Sequence, residues 1–144
     1  MFIDKKLQLT GVSGQAVTVT APTTDVVDVG NAYSDIGSSE KLELAINVST
    51  TATAAGAATV TFALQDSADN NTFTDLSVTK AYPVAELVAG KTIIIPVPPG
   101  ARRYVRGNFT VATGPLTAGV FNAAIVNGAQ RNIAYPNASA IGAT

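Results

Sequence analysis

From Gly56 to Val126 the chain reads GAATVTFALQDSADNNTFTDLSVTKAYPVAELVAGKTIIIPVPPGARRYVRGNFTVATGPLTAGVFNAAIV, short apolar alternations cut by turn clusters. A period of two lays one face of an extended chain on a core, whereas an amphipathic helix needs apolar residues three and four apart. Val60, Phe62 and Leu64 alternate with Thr59, Thr61 and Gln65 in this way, and upstream Leu42, Leu44, Ile46 and Val48 alternate with Glu43, Asn47 and Ser49. Both stretches are predicted to be half-buried strands. Phe121, Ala123 and Ile125 mark a last long strand, with Val105, Phe109 and Val111 facing inward on the one before it.

Punctuation divides the rest. Asp66-Ser67-Ala68-Asp69-Asn70-Asn71 supplies side chains that make Asx-turns and tolerate left-handed backbone, so a hairpin with a polar tip is expected, with Phe73, Asp75 and Leu76 resuming an extended pattern. Val84–Gly90 reads as one helical turn or a loop. The run Thr92-Ile93-Ile94-Ile95 suits a strand covered on both faces. Pro96, Pro98, Pro99 and Gly100 turn the chain, since proline fixes φ and cannot donate to a ladder, and the following strand begins near Arg102. Short strands are expected over Gln15–Thr20 and Asp25–Val29, with Ala21-Pro22 between them and 50–56 as a small-residue connector after the Leu42 strand. Roughly eight evenly spaced strands without a helix predict an all-β fold, a jelly-roll or two-sheet β-sandwich over residues 15–127. Residues 1–14 read as an N-terminal arm with one short strand and 128–144 as a C-terminal tail without a periodic core face.

Composition narrows the chemistry. The chain has no Cys and no His, which removes thiolate nucleophiles, disulfides, the commonest general base and the commonest transition-metal ligand. Nine basic against ten acidic residues leave a formal charge of −1, too little to draw the domain onto nucleic acid or an anionic membrane. No run approaches the ~18 apolar residues of a membrane span, and the opening MFIDKKLQLTG lacks the apolar stretch of a secretory signal, so a soluble product of the cytoplasm is expected.

The candidate sites are few. Asp66, Asp69 and Asp75 gather three carboxylates, but the D-x-D-x-D-G spacing of a Ca²⁺ loop is missing, and a structural turn is the favoured reading. Asp25 and Asp28 fall on opposite faces of a short strand and make no acid–base pair. No nucleophile, base and orienting group can be assembled, so no enzyme and no cofactor are expected. Arg102, Tyr104 and Arg106 share one strand face at period two, with Arg103 beside them, and Arg and Tyr are enriched where proteins meet. A protein interface is favoured there over a merely solvated face or nucleic acid. Phe2, Lys5 and Lys6 suit an arm that docks apolar residues and steers with cations, or else an edge strand protected by lysines. Arg131 and Tyr135 stand out in the tail.

The opening MFIDKKLQL, the segment GAATVTFALQDSADNNTFTDL, the segment LVAGKTIIIPVPPGARRYVRGNFTVATGPLTAG and the overall length resemble the capsid cement, or decoration, proteins of tailed bacteriophages, of the type described from a short-tailed Bordetella phage. The resemblance covers nearly the whole chain. It implies a jelly-roll fold, self-association into a homo-oligomer, a place on the outer capsid surface of the virion after synthesis in the host cytoplasm, and a partner in the major capsid protein, whose adjacent subunits the domain would clamp. It implies no catalysis and no cofactor, and it carries no residue-level motif; the charge balance adds the expectation of no nucleic-acid and no membrane partner. The interface residues therefore rest on the patch reading: Phe2, Lys5, Lys6, Arg102, Tyr104, Arg106, Arg131 and Tyr135. The competing reading is a carbohydrate- or receptor-binding β-sandwich module of a phage tail or fibre, which would need Tyr33, Tyr82, Tyr104 and Tyr135 to cluster into an aromatic platform.

Overall fold

A computed structural model describes residues 4–30 and 41–129. Ten strands follow in order: β1 (Gln15–Ala16), β2 (Ala21–Pro22), β3 (Val27–Asp28), β4 (Leu42–Thr53), β5 (Thr59–Ser67), β6 (Thr74–Val78), β7 (Tyr82–Pro83), β8 (Thr92–Pro96), β9 (Tyr104–Ala112) and β10 (Ala118–Asn127). The described residues contain no α-helix, only 3-10 turns at Lys5–Leu7 and Val84–Glu86. The alternation of the sequence sets the burial. Leu44, Ile46 and Val48 of β4, Val60, Phe62 and Leu64 of β5, and Phe121, Ala123 and Ile125 of β10 all lie in the core. Phe62 packs edge-on against Phe109 and Phe121, with ring centroids 5.8 and 5.4 Å apart, so aromatic side chains from both sheets meet at the centre.

One antiparallel sheet has the order β1-β10-β4-β8, and the other β2-β9-β5-β6, with β3 also on β9 and β7 on β5. The pairs β1·β10, β2 and β3·β9, β4·β8 and β5·β6 are nested like the rungs of one long hairpin. Rolling that hairpin up joins β10 to β4 and β5 to β9 and produces a jelly roll. The expected fold class is therefore the observed one.

Several local expectations are corrected. The strand expected over Gln15–Thr20 shrinks to Gln15–Ala16, because Val17 turns into the core while Val19 stays 59% exposed. Ala21-Pro22, read as punctuation, is itself paired with Phe109 and Asn108; proline is tolerated there because the pair lies at a sheet edge. The connector 50–56 is partly strand, since β4 runs to Thr53 and buries Ala52. β8 is not covered on both faces: Ile93 and Ile95 are buried, Ile94 only half so, and the strand is the outermost of its sheet. Residues 4–14 are no free arm. Leu9 and Thr10 are fully buried, Leu9 N–H donates to Ala123 O at 2.8 Å, and Thr10 Oγ1 accepts from Ala123 N at 3.0 Å. The segment sits against β10, with Gln8 bridged to Ala124. Of the tail, Gly128 and Ala129 are described; Ala129 N–H donates to Glu43 Oε2.

Candidate functional site

The β5·β9 ladder runs from Thr59 opposite Ala112 to Ser67 opposite Tyr104, and this register brings the arginines beside the β5–β6 hairpin. Arg102, expected on an open face with Tyr104 and Arg106, closes over Asp66 instead. Asp66 is 2% exposed; its Oδ2 accepts from Arg102 N at 2.9 Å and its Oδ1 from Arg102 Nη2 at 2.5 Å and Thr74 Oγ1 at 3.2 Å. Arg102 Nη2 also donates to Asp66 O and to Thr74 Oγ1. Burial pushes the Asp66 carboxyl up, but the bonds from Arg102 and Thr74 outweigh it and its pKa lies below the ordinary value.

The neighbouring arginines are also engaged. Arg103 grips Asp28 through two bonds of 2.8 Å and lies over the Tyr104 ring at 4.9 Å. With the Gly30 N–H, that grip lowers the Asp28 pKa to about 2. Arg106 donates to Gln65 at 2.9 Å and stacks 3.7 Å from the Phe73 ring centroid, half-buried. The sequence patch is thus a set of struts tying β9 to β3 and to the hairpin, with Tyr104 half-exposed among them.

At the hairpin tip, Asp69 Oδ1 accepts from Ser67 Oγ, Asn71 N and Thr72 N at 2.8–2.9 Å, and these bonds bring its pKa down to about 2. Asn70 takes the left-handed conformation at φ 58, which its short amide tolerates. Asp75 accepts from Gln65. The three carboxylates therefore have three different sets of partners, and among the described residues no cluster of Asp and Glu is arranged to hold a metal ion. Asp66, expected in the polar tip, belongs to the strand.

Lys5 and Lys6 lie exposed on the 3-10 turn that Asp4 caps through the Lys6 N–H. Lys5, Gln8 and Val12 border two concavities, one of about 430 Å³ against the β10–β4 pair, floored by Ala45 and Ala124, and one of about 370 Å³ walled by Asp25 and Val26. Val12 is 87% exposed. Phe2, Arg131 and Tyr135 lie outside the described residues, as does Tyr33. Tyr82 stands opposite Val60 and Tyr104 opposite Ser67, seven residues apart along β5 or about 23 Å. Those two tyrosines form no common platform. A cluster that sequence reasoning missed surrounds Tyr82: Lys80 and Lys91 lie 4.9 and 5.3 Å from its ring centroid and share Glu86 at 3.2 and 3.6 Å. Its members are scattered from 80 to 91 across a turn, with no motif to announce them.

Fold and surface together define a jelly-roll domain in which Arg102, Arg103 and Arg106 brace its own loops and the two concavities beside Lys5 are lined, Val12 and Val26 aside, by small or polar residues. A family model described as Bbp16 matches residues 12–125, from the loop before β1 into β10, and the chain belongs to the Bbp16 family, whose name points to a Bordetella phage protein. No curated protein matches the chain.

Proposed function

We propose that the chain is a structural virion protein, a capsid cement protein that binds the outer surface of a tailed-phage capsid and clamps adjacent major capsid subunits. The observation that carries this reading is the span of the family match: residues 12–125 take in nearly the whole sandwich, so what the family shares is the braced body. The resemblance of the opening and of the Gly56 and Leu87 segments to phage cement proteins supports it, as does the way charge is spent. Arg102, Arg103 and Arg106 stiffen loops rather than converge on a cleft.

Such a bracket works by linkage. A domain that binds the assembled shell and not free subunits stabilises the shell by RT ln(1 + [L]/Kd) per site, and repetition over a symmetric lattice multiplies modest contacts. A homo-oligomer would add avidity. No catalytic step, cofactor, nucleic acid or membrane enters the proposal. The test is to add purified protein to cognate shells lacking it, then measure co-sedimentation and the temperature at which the shells burst. Saturable pelleting with a raised bursting temperature is expected. Protein that stays in the supernatant, or that binds without changing shell stability, overturns the reading.

A further inference from the structure

The two long sides of the sandwich are closed differently. On one side Gln15 of β1 reaches from its sheet to the other: its Nε2 donates to Pro22 O at 2.8 Å and its Oε1 accepts from Thr24 N at 2.9 Å. On the opposite side β8 and β6 are the outermost strands of their sheets, and among the described residues no such stitch joins them. A groove of about 410 Å³ lies between, bordered by Val78, Lys80, Tyr82, Ile94 and Pro96.

The register decides which main-chain groups face that groove. Val48 N–H donates to Lys91 O and Val97 N–H to Leu42 O, so the odd-numbered residues from 91 to 97 bond β4. By the alternation of an antiparallel ladder, the N–H and C=O of Thr92 and Ile94 turn outward, and Pro96 adds only its C=O. Across the groove Thr79 N–H donates to Phe62 O, which turns Thr79 toward β5 and leaves Val78 55% exposed. At one end Lys80 and Lys91 share a single carboxylate, Glu86, leaving an excess of one positive charge.

Resting on the capsid-binding reading, we infer that this edge takes an extended segment of a neighbouring capsid subunit, which continues the sheet beyond β8. Donors and acceptors two residues apart, without partners among the described residues, call for an extended backbone without proline at the bonded positions. Val78 and Ile94 select an apolar side chain, and the Lys80–Lys91 pair selects a carboxylate near the Tyr82 end. A second copy of this chain fits worse. Pairing β8 with itself about Ile94 would set Thr92 against Pro96 of the other copy, and the missing proline N–H would leave a bond unmade at each end.

Hydrogen exchange of the full-length protein, free and bound to cognate shells, tests this. The Thr92 and Ile94 amides should exchange at least tenfold more slowly on shells, and Val78→Asp, which sets a charge where the segment's apolar side chain must dock, should weaken shell binding about tenfold while leaving the thermal midpoint of the free protein unchanged. Shell-bound protein with unprotected Thr92 and Ile94, or undiminished binding by Val78→Asp, overturns the edge proposal and leaves the capsid reading standing. Protection that grows with concentration in free protein assigns the edge to a second copy and overturns it too. If the wild type binds no shell, both proposals fall.

Discussion

Leu9 offers a sharp test of where the folded body begins. Its side chain is fully buried among core residues of both sheets, and its main chain is tied to Ala123 on one side and to Asp25 on the other. Leu9→Ala removes three carbons from that site. Leu→Ala changes in cores cost about 2.7–5 kcal/mol, depending on how far the surroundings collapse into the space. Leu9 enters from a segment outside the strands, which can follow the collapse more easily than a central strand, so about 3 kcal/mol is expected. For a chain of this size that corresponds to a drop of roughly 10 °C in Tm. Urea titration should show a lower midpoint with an unchanged slope, because the surface exposed on unfolding stays nearly the same. Lys6→Ala, on the exposed turn three residues earlier, serves as control and should leave the midpoint in place. If Leu9→Ala shifts Tm by less than about 2 °C, residues 4–14 are a detachable arm after all and their assignment to the core is wrong. By the same reasoning, deleting residues 1–14 destabilises the domain itself, so weakened capsid attachment of that truncation would not identify an arm contact.

Further outcomes follow from single sites. Gly107→Ala would place a Cβ 2.8 Å from Thr23 Cγ2, at a residue whose hydroxyl accepts the Gly107 N–H and bonds Gly107 O; a loss of about 1–3 kcal/mol by chemical denaturation is expected, and neutrality would contradict the packing. Thr113 holds φ 62, a conformation that a β-branched residue adopts at a cost, so Thr113→Asn should raise Tm by a few degrees, as read by calorimetry. Asp28 and Asp69 have folded pKa values of about 2 against an ordinary 3.8, and that of Asp66 is lowered as well. Their contribution is complete above the unfolded value and is lost as pH falls through the folded one, so stability should fall between about pH 4 and pH 2. Arg103→Ala should lessen the part of that loss due to Asp28, which urea midpoints across the window would reveal.

The sequence revealed the parts of the fold that depend on local alternation. Val60-Phe62-Leu64, Leu44-Ile46-Val48 and Phe121-Ala123-Ile125 place their side chains inward because period two and a one-sided core leave no other solution. What local pattern cannot carry is pairing. Arg102 and Asp66 are 36 residues apart, and only the β5·β9 register, set by long-range packing, makes them partners. A strand face counted from Arg102 therefore gave no sign that its guanidiniums, though exposed at Arg102 and Arg103, are bonded within the chain. The burial of Leu9 is invisible for a related reason: Leu7-Gln8-Leu9 is a single alternation, too short to count as a period, and its partner Ala123 is 114 positions away. Ala21-Pro22 failed in the other direction, because proline at an edge can be strand when its missing donor faces outward. The candidate interface was legible only as residue types. The groove beside β8 needed the strand order, which no residue pattern specifies.

Electron cryomicroscopy of cognate virions at a resolution that traces side chains is the most direct measurement of the central claim. Copies of this jelly roll are expected on the outer face of the shell, each touching at least two major capsid subunits. Virions whose outer face carries no such density, or copies that each rest on a single subunit without spanning a joint, would contradict it.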